Sequence, residues 1–213
     1  MKIRPKKLIK KYWNLGELEG TDGLEIAAKW SSQYDDYSAA INYAVVRELK
    51  PRVIVEFGAR TGRCTHDILR ALLKNGKEFN FKSYEIDKDL RKTAQSNLHE
   101  KFGDKAIKIG GDILKAKNIP RDIDYLFVDN SHDGPTTDWL FEYLLPRCRV
   151  GAIVQIHDIP LMKDFGLKKT NGVFQETLVI IKKYIQGILP LKKLYCASED
   201  TNWESSWWEY RPL

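Results

Sequence analysis

Acidic and histidine side chains stand at the ends of several apolar runs, where a sheet presents groups that can do chemistry. Glu85, Asp129 and Asp158 each follow such a run, His157 precedes Asp158, and His132 comes three residues after Asp129. Parallel strands bring their carboxyl ends to one edge of a sheet, where ligands bind. Carboxylates and imidazoles at that edge are suited to holding hydroxyl groups or a cation and to moving a proton.

A turn with two glycines follows the first apolar run, in the stretch VIVEFGARTGRCT, residues 53–65. Gly58 and Gly62 lack side chains, as is needed where backbone approaches a ligand. A diphosphate would favour the pattern G-x-G-x-x-G at a helix N-terminus, but here the middle glycine is missing and Glu56 precedes the first. An acid suits an ammonium or sulfonium group, so the turn predicts a cofactor that is positively charged nearby.

Two later acids extend this prediction. Glu85 could accept both hydrogen bonds of a ribose diol, and Asp112, which follows two glycines, could accept an adenine amino group. An acid, a glycine turn, a ribose acid and an adenine acid in this order describe S-adenosylmethionine. The predicted cofactor-binding residues are Glu56, Gly58, Ala59, Arg60, Thr61, Gly62, Thr65, Glu85, Ile86, Gly111, Asp112 and Asp129.

Strands and helices alternate along the elements that must position these groups. Strands are predicted at 52–57, 81–86, 106–111, 123–129, 152–157, 191–198 and 206–211, and helices at 36–49, 66–76, 88–102, 135–146 and 172–186. This alternation predicts an α/β fold with a Rossmann-like, doubly wound, mostly parallel seven-stranded sheet. The last two strands have no helix between them and are expected to pair as an antiparallel edge hairpin. We expect residues 1–35 to be a basic segment or cap and residues 36–213 a single domain.

The sequence resembles the class I S-adenosylmethionine-dependent methyltransferases. EFGARTG is similar to their E-x-G-x-x-x-G motif, and YEID to their second-strand acid. The resemblance extends to the small-molecule O-methyltransferases that include catechol and macrolide-sugar enzymes. Their fourth strand reads like DLIFIDGDH and their fifth like GGVIVFHD, where this chain has DYLFVDNSHDG and GAIVQIHD. The resemblance covers residues 50–160 and departs from the family pattern at Asn130, Gly134 and residues 150–152.

The resemblance implies a divalent cation, Mg²⁺ or another, held by Asp129 and Asp158 with His157 also available. Two carboxylates at the tips of neighbouring strands, ~4.8 Å apart, would repel each other without a cation. The cation would orient an acceptor hydroxyl and lower its pKa. His132, with an ordinary pKa of ~6.5, could act as general base. His132 and Asp129 are the predicted catalytic residues; the alternative is that these groups cap turns or bond to backbone.

The net charge is +6, and six of the first eleven residues are Lys or Arg. This segment could meet anionic lipid, a nucleic acid backbone or an acidic glycan, or remain a solvated tail. The three cysteines, Cys64, Cys148 and Cys196, lack ligand spacing and predict reduced thiols in a cytoplasmic protein. No apolar run reaches the ~18 residues of a transmembrane helix, and the N-terminus lacks the apolar core of a secretory signal.

The sequence therefore predicts a methyltransferase that modifies a hydroxyl of a sugar or another small metabolite. A nucleic acid methyltransferase is an alternative, although DNSH is not the Asn/Asp-Pro-Pro-aromatic motif of amino-methylating DNA enzymes. A non-catalytic domain that keeps the fold is another. A nicotinamide dehydrogenase is the least favoured alternative, because this chain lacks the G-x-G-x-x-G motif. The acceptor and the oligomeric state are not determined, and a homodimer is compatible with the sequence.

Overall fold

A computed structural model of the chain describes residues 3–18, 36–157, 175–196 and 205–212. The helices are α1 (Pro5–Asn14), α2 (Asp36–Leu49), α3 (Arg63–Asn75), α4 (Lys88–Phe102), α5 (Gly134–Trp139) and α6 (Gln175–Ile185). The strands are β1 (Val53–Phe57), β2 (Asn80–Tyr84), β3 (Ile109–Gly110), β4 (Ile123–Val128), β5 (Cys148–Ile156), β6 (Leu191–Cys196) and β7 (Ser206–Tyr210). None of these helices combines the length and the apolar character that crossing a membrane requires.

The seven strands follow the order β3-β2-β1-β4-β5-β7-β6 in one mixed sheet. The β1–β2, β2–β3 and β4–β5 pairs are parallel, whereas β7 is antiparallel to both β5 and β6. The predicted Rossmann-like, mostly parallel sheet with antiparallel C-terminal strands is therefore confirmed. Two compact units, residues 1–119 and 120–213, divide the chain.

In the first unit, β1 and β2 are paired along their whole length, from Val53 opposite Asn80 to Phe57 opposite Tyr84. The third strand is only two residues long, shorter than the predicted run 106–111, and a 3₁₀ turn at Gly103–Lys105 ends just before that run. A small apolar cluster of Ala59, Ala94, Leu98 and Ile109 packs the turn after β1 against α4 and β3.

The helix ends in this unit follow local signals in the sequence. The side chain of Asp87 accepts hydrogen bonds from the N–H groups of Asp89 and Leu90, so α4 begins where it was predicted. Gly76 ends α3 in the left-handed conformation, with φ 64°. Helix α3 begins three residues earlier than predicted, because Gly62, at φ 91°, lets the chain enter the helix directly from the turn.

In the second unit, β4 is buried along all six residues, as is typical of a parallel strand covered on both faces. β7 lies between β5 and β6, and its Trp207 and Trp208 are 0% and 3% exposed. These rings therefore cover the sheet, as aromatic strand residues commonly do, and offer little surface to a sugar. Trp203 lies outside the described residues.

The predicted helix at 135–146 is divided into three segments. Helix α5 ends at Trp139, a π turn follows at Leu140–Leu144, and a short 3₁₀ turn occupies Leu145–Arg147. Pro146 has no backbone N–H and cannot extend an α-helix at this position. Leu140, Phe141 and Leu144 are buried despite the change in helical form.

Helix α1 lies in the segment for which the sequence predicts only a basic segment or cap. Its Tyr12 is 4% exposed, as is Ile3 just before the helix at 5%, and the Tyr12 ring meets Tyr43 of α2 edge to face at 6.2 Å. Lysines occupy so many of its positions that the two or three apolar contacts on its inner face do not stand out in the sequence.

Glu17, just after α1, fastens this helix to α2. Its carboxylate accepts hydrogen bonds from the Tyr43 hydroxyl at 2.8 Å and from Arg47 Nε and Nη2 at 2.7 and 2.9 Å. The hydrogen bond from Arg47 lowers the pKa of Glu17, partial burial opposes this shift, and the Tyr43 hydroxyl adds to it. The carboxylate is therefore ionised in the folded state at neutral pH.

We predict that Glu17→Gln lowers the free energy of unfolding by about 1–2 kcal/mol at neutral pH. Because the pKa of Glu17 is lower in the folded state, its contribution is complete above the unfolded-state pKa of ~4.3 and is lost as the pH falls through the folded-state value. Urea unfolding of both proteins across this range measures the effect. Glu48→Gln is the control: Glu48 pairs with Lys11 and is more exposed than Glu17, so its change should lower stability less. A difference that grew on acidification would contradict the assignment.

Candidate active site

The turn between β1 and α3 is tied to the end of β2. The N–H groups of Gly58 and Ala59 both donate to the Tyr84 carbonyl oxygen, each at 3.0 Å. Gly58 adopts φ 97°, and Arg60, although it is not glycine, adopts φ 49°. The turn is thus held in a backbone conformation that would be strained without these hydrogen bonds.

Glu85 joins the loops that follow β1 and β2. Its Oε2 accepts a hydrogen bond from the Arg60 N–H at 2.7 Å, and its Oε1 accepts one from the Asp87 N–H at 2.9 Å. Each carboxylate oxygen can accept a second hydrogen bond. The fixed carboxylate is therefore suited to a vicinal diol, the group for which the sequence predicted it. Ile86 beside it is 69% exposed and offers an apolar surface to a flat ring.

Gly62 is required by packing within the protein. A Cβ at this position would lie 3.3 Å from Ala94 Cα on α4, closer than side chains normally approach. Neighbouring Thr61 accepts a hydrogen bond on its carbonyl oxygen from Asn97 of the same helix at 2.8 Å. The Thr61 hydroxyl is buried and makes no hydrogen bond within the described part of the chain, which leaves it available to a ligand.

Glu56 occupies a different position from the one its sequence context suggested. It is fully buried, and its Oε2 accepts hydrogen bonds from Thr65 Oγ1 at 2.6 Å and from the Ser83 hydroxyl. The carboxylate therefore links β1, β2 and the first turn of α3. Direct contacts of Glu56 and Thr65 with a cofactor ammonium group stay a prediction. In the structure, the hydrogen bond between the two side chains connects β1 to the start of α3.

Asp112 is engaged locally at the end of β3. Its Oδ1 accepts a hydrogen bond from the Leu114 N–H at 3.0 Å, and its Oδ2 lies 3.1 Å from Lys115 Nζ. Arg91 donates to the Glu85 carbonyl oxygen at 2.8 Å and would lie 3.2 Å from a Cβ at Gly111. The absence of a side chain at Gly111 therefore leaves space for the Arg91 guanidinium. A contact of Asp112 with adenine would come in addition to its hydrogen bond with the Leu114 N–H.

In the second unit, Asp129 follows β4 and faces two imidazoles. Its Oδ1 lies 3.6 Å from His132 Nε2 and 3.5 Å from His157 Nδ1. Burial alone would raise the pKa of Asp129, but the two nearby imidazoles outweigh burial and hold this pKa well below its usual range. The His157 N–H donates to the Val128 carbonyl oxygen at 2.9 Å, so the strand pairing of β4 and β5 brings Asp129 and His157 together.

Both ring nitrogens of His132 face carboxylates. Nδ1 lies 2.7 Å from Oε2 of Glu176, while Nε2 faces Asp129. Burial lowers the pKa of His132, but the hydrogen bonds and charges of Asp129 and Glu176 raise it to about 10. The imidazole is therefore protonated at neutral pH, whereas the sequence suggested an ordinary histidine that could accept a proton. Its backbone is also unusual, with φ 54°.

Glu176 is the functional candidate that the sequence analysis missed. It is 0% exposed, and its backbone N–H also donates to the His132 carbonyl oxygen at 3.1 Å. In addition, the Gly134 N–H donates a hydrogen bond to Gln175 Oε1 at 3.0 Å. This bond also connects the start of α6 to the loop after β4. One signal was present: Glu176 lies four residues before buried Ile180, on the inward face of an amphipathic helix.

The predicted metal ligands are brought together only in part. Asp129 and His157 are neighbours, but Asp158 lies outside the described residues. Within 3–18, 36–157, 175–196 and 205–212, no group of three or more His, Cys, Asp or Glu side chains could hold a metal ion. The described residues alone therefore do not provide a cation site.

Comparisons with known proteins identify the domain. Residues 55–159 match a family model described as a methyltransferase domain. The match spans just under half of the chain, and it is to this family that residues 55–159 are similar. No curated protein sequence matches the chain, but many solved structures share its fold. The resemblance to class I methyltransferases, which the sequence motifs indicated, is thereby confirmed.

Three solved structures illustrate the shared fold. An O-methyltransferase from Bacillus cereus, solved in complex with SAH, is 12% identical with a TM-score of 0.69 over 98% of this chain and 100% of that one. The O-methyltransferase TomG from Streptomyces achromogenes, involved in tomaymycin synthesis and solved with SAM, is 13% identical with a TM-score of 0.66 over 99% of both chains. A methyltransferase from Geobacter sulfurreducens is 17% identical, with a TM-score of 0.64 over 96% of both chains.

We predict that Gly62→Ala destabilises the methyltransferase domain by about 2–3 kcal/mol, since it adds a left-handed alanine and crowds α4. Gly76→Ala is the matched control, because Gly76 is also left-handed but nothing lies within 4 Å of its would-be Cβ. The control should cost only about 1 kcal/mol. Urea unfolding measures both variants, and equal losses would contradict the packing argument.

We predict that Glu176→Ala lowers the free energy of unfolding by about 3–4 kcal/mol, because it leaves the protonated His132 with one buried partner fewer. Glu176→Gln keeps an oxygen that can accept from Nδ1 and should cost only about 1–2 kcal/mol. Exposed Glu142 provides the control, since its change to alanine should stay within about 0.5 kcal/mol. An alanine variant at 176 as stable as the control would refute the pairing.

Proposed function

We propose that this chain is an S-adenosylmethionine-dependent methyltransferase that transfers a methyl group to a hydroxyl oxygen of a small molecule, such as a sugar or another metabolite. The observation that carries the proposal is the carboxylate of Glu85, held by two backbone N–H groups with acceptor capacity left on each oxygen. The B. cereus and S. achromogenes relatives, described as O-methyltransferases bound to SAH and SAM, support it.

The described residues of the first unit fit this cofactor. Glu85 would accept the two ribose hydroxyls, exposed Ile86 would contact the adenine, and the turn Gly58–Gly62 with the buried Thr61 hydroxyl would meet the methionine part. When bound, S-adenosylmethionine supplies a methyl group on a positively charged sulfur. The hydrogen bonds from the turn to Tyr84 would hold the binding backbone in place before the ligand arrives.

We assign the acceptor side of the reaction to the second unit. Both ring nitrogens of His132 face carboxylates, so each would carry a proton that points to one of them. The ring would therefore orient Asp129 and would not take a proton from the acceptor. Asp129, the less buried of its two partners, would accept the hydrogen bond of the acceptor hydroxyl and take its proton as the hydroxyl oxygen bonds to the methyl carbon and the sulfur–methyl bond breaks. In this assignment His132 and Asp129 remain the catalytic pair, with Glu176 as a positioning residue.

The finer parts of the sequence prediction are carried as proposals. A divalent cation such as Mg²⁺, held by Asp129 and Asp158 with His157, depends on Asp158 beyond the described residues, and no step above is routed through it. A cytoplasmic location is supported by the three buried cysteines, none of which forms a disulfide in the described chain. A glycan acceptor and a homodimer are compatible with the fold.

Calorimetric titration with S-adenosylhomocysteine tests the proposed function. We expect the wild-type protein to bind it and Glu85→Gln to bind about 10–100-fold more weakly, because the variant loses charge-assisted hydrogen bonds. Glu78→Gln makes the same chemical change at an exposed site and should leave binding unchanged. Wild-type protein that does not bind the ligand, with or without Mg²⁺, would refute the proposal and favour a non-catalytic domain.

A further inference from the structure

The contacts of residues 11–17 place one side of α1 against α2. Tyr12 is buried on Tyr43, Lys11 pairs with Glu48, and Glu17 is held by Arg47. These contacts come from the inner face and the end of the helix. The opposite face of α1 therefore has a fixed orientation and points away from α2.

This outer face is basic and contains no acid. Arg4, Lys6, Lys7 and Lys10 are all exposed, and the helix sequence PKKLIKKYWN has no acidic residue. Successive helical positions are about 100° apart, which places Lys6, Lys10 and Lys7 on neighbouring lines along the outer side. We define these four residues as the basic face of α1.

Two exposed apolar side chains at the C-terminal end of α1, Trp13 and the following Leu15, form what we call its apolar edge. Trp13 is 54% exposed and Leu15 is 59% exposed. Trp13 follows Lys6 by seven residues, so the two lie within roughly 20° of each other around the helix. Exposed tryptophan and leucine next to lysines are typical of amphipathic helices that lie at a membrane interface.

We propose that the basic face of α1 and its apolar edge bind an anionic membrane surface peripherally. Clusters of four or more Lys or Arg residues on an amphipathic helix attract acidic lipid headgroups. Tryptophan is favoured at the depth of the headgroups, where its ring is partly apolar and its N–H is wet. Aliphatic Leu15 favours lipid over nucleic acid, since a phosphodiester backbone and stacked bases offer little to an exposed leucine.

Sedimentation of the full chain with phosphatidylcholine vesicles, with and without phosphatidylserine, tests this proposal. We expect binding only to the vesicles that contain phosphatidylserine, and we expect it to weaken as salt rises. Each surface lysine contributes about a fivefold factor in partitioning, so the triple variant Lys6→Gln, Lys7→Gln, Lys10→Gln should bind roughly a hundredfold more weakly.

The matched control is Lys77→Gln, Lys108→Gln, Lys117→Gln, which changes the net charge equally at three exposed lysines outside α1. It should bind like the wild-type protein. Trp13→Ala should also weaken binding, but with an unchanged dependence on salt. Circular dichroism and thermal unfolding check that each variant folds.

Three outcomes would overturn the proposal. Equal loss in both triple variants would mean that only net charge matters. Equal binding to vesicles with and without phosphatidylserine would remove the electrostatic argument. Binding to bulk RNA that depends on Lys6, Lys7 and Lys10, with no binding to vesicles, would assign the basic face to nucleic acid.

Discussion

The fold of the first unit around its candidate cofactor site depends on the carboxylate of Glu85. This group fixes two loops from different strands, because it accepts one backbone N–H from Arg60 and one from Asp87. Without it, the left-handed Arg60 would lack a partner that offsets its strained backbone. The same two oxygens keep acceptor capacity beyond these two hydrogen bonds, so the group that stabilises the loops is also suited to recognise a diol.

The second unit follows a different physical principle, in which buried charges are stable only as a set. Asp129, His132 and Glu176 alternate in sign, and each would be costly to bury alone. The arrangement joins the loop after β4 to the start of α6, so a helix distant in sequence becomes part of the candidate chemistry. Local strand patterns could place Asp129 and His132, but not their partner.

The sequence predicted those features that are determined locally. Asp87 marks the start of α4 and Gly76 the end of α3, because caps and left-handed glycines act within a few residues. It did not reveal why Gly62 is glycine, since the reason is Ala94 on another helix. Likewise, the protonated state of His132 depends on Glu176, which is 44 residues away. The features that could not be predicted depend on tertiary contacts between residues far apart in the sequence, and a local sequence pattern contains no information about such contacts.

The position of β7 has a consequence for the order in which the protein can fold. Because β7 lies between β5 and β6, those two strands have no neighbour on their facing edges until residue 210 has left the ribosome. During synthesis the nascent chain therefore exposes open β edges and the apolar surface that Trp207 and Trp208 later cover. The second unit must complete its sheet late, and binding by chaperones that recognise exposed strands would be most valuable in that interval.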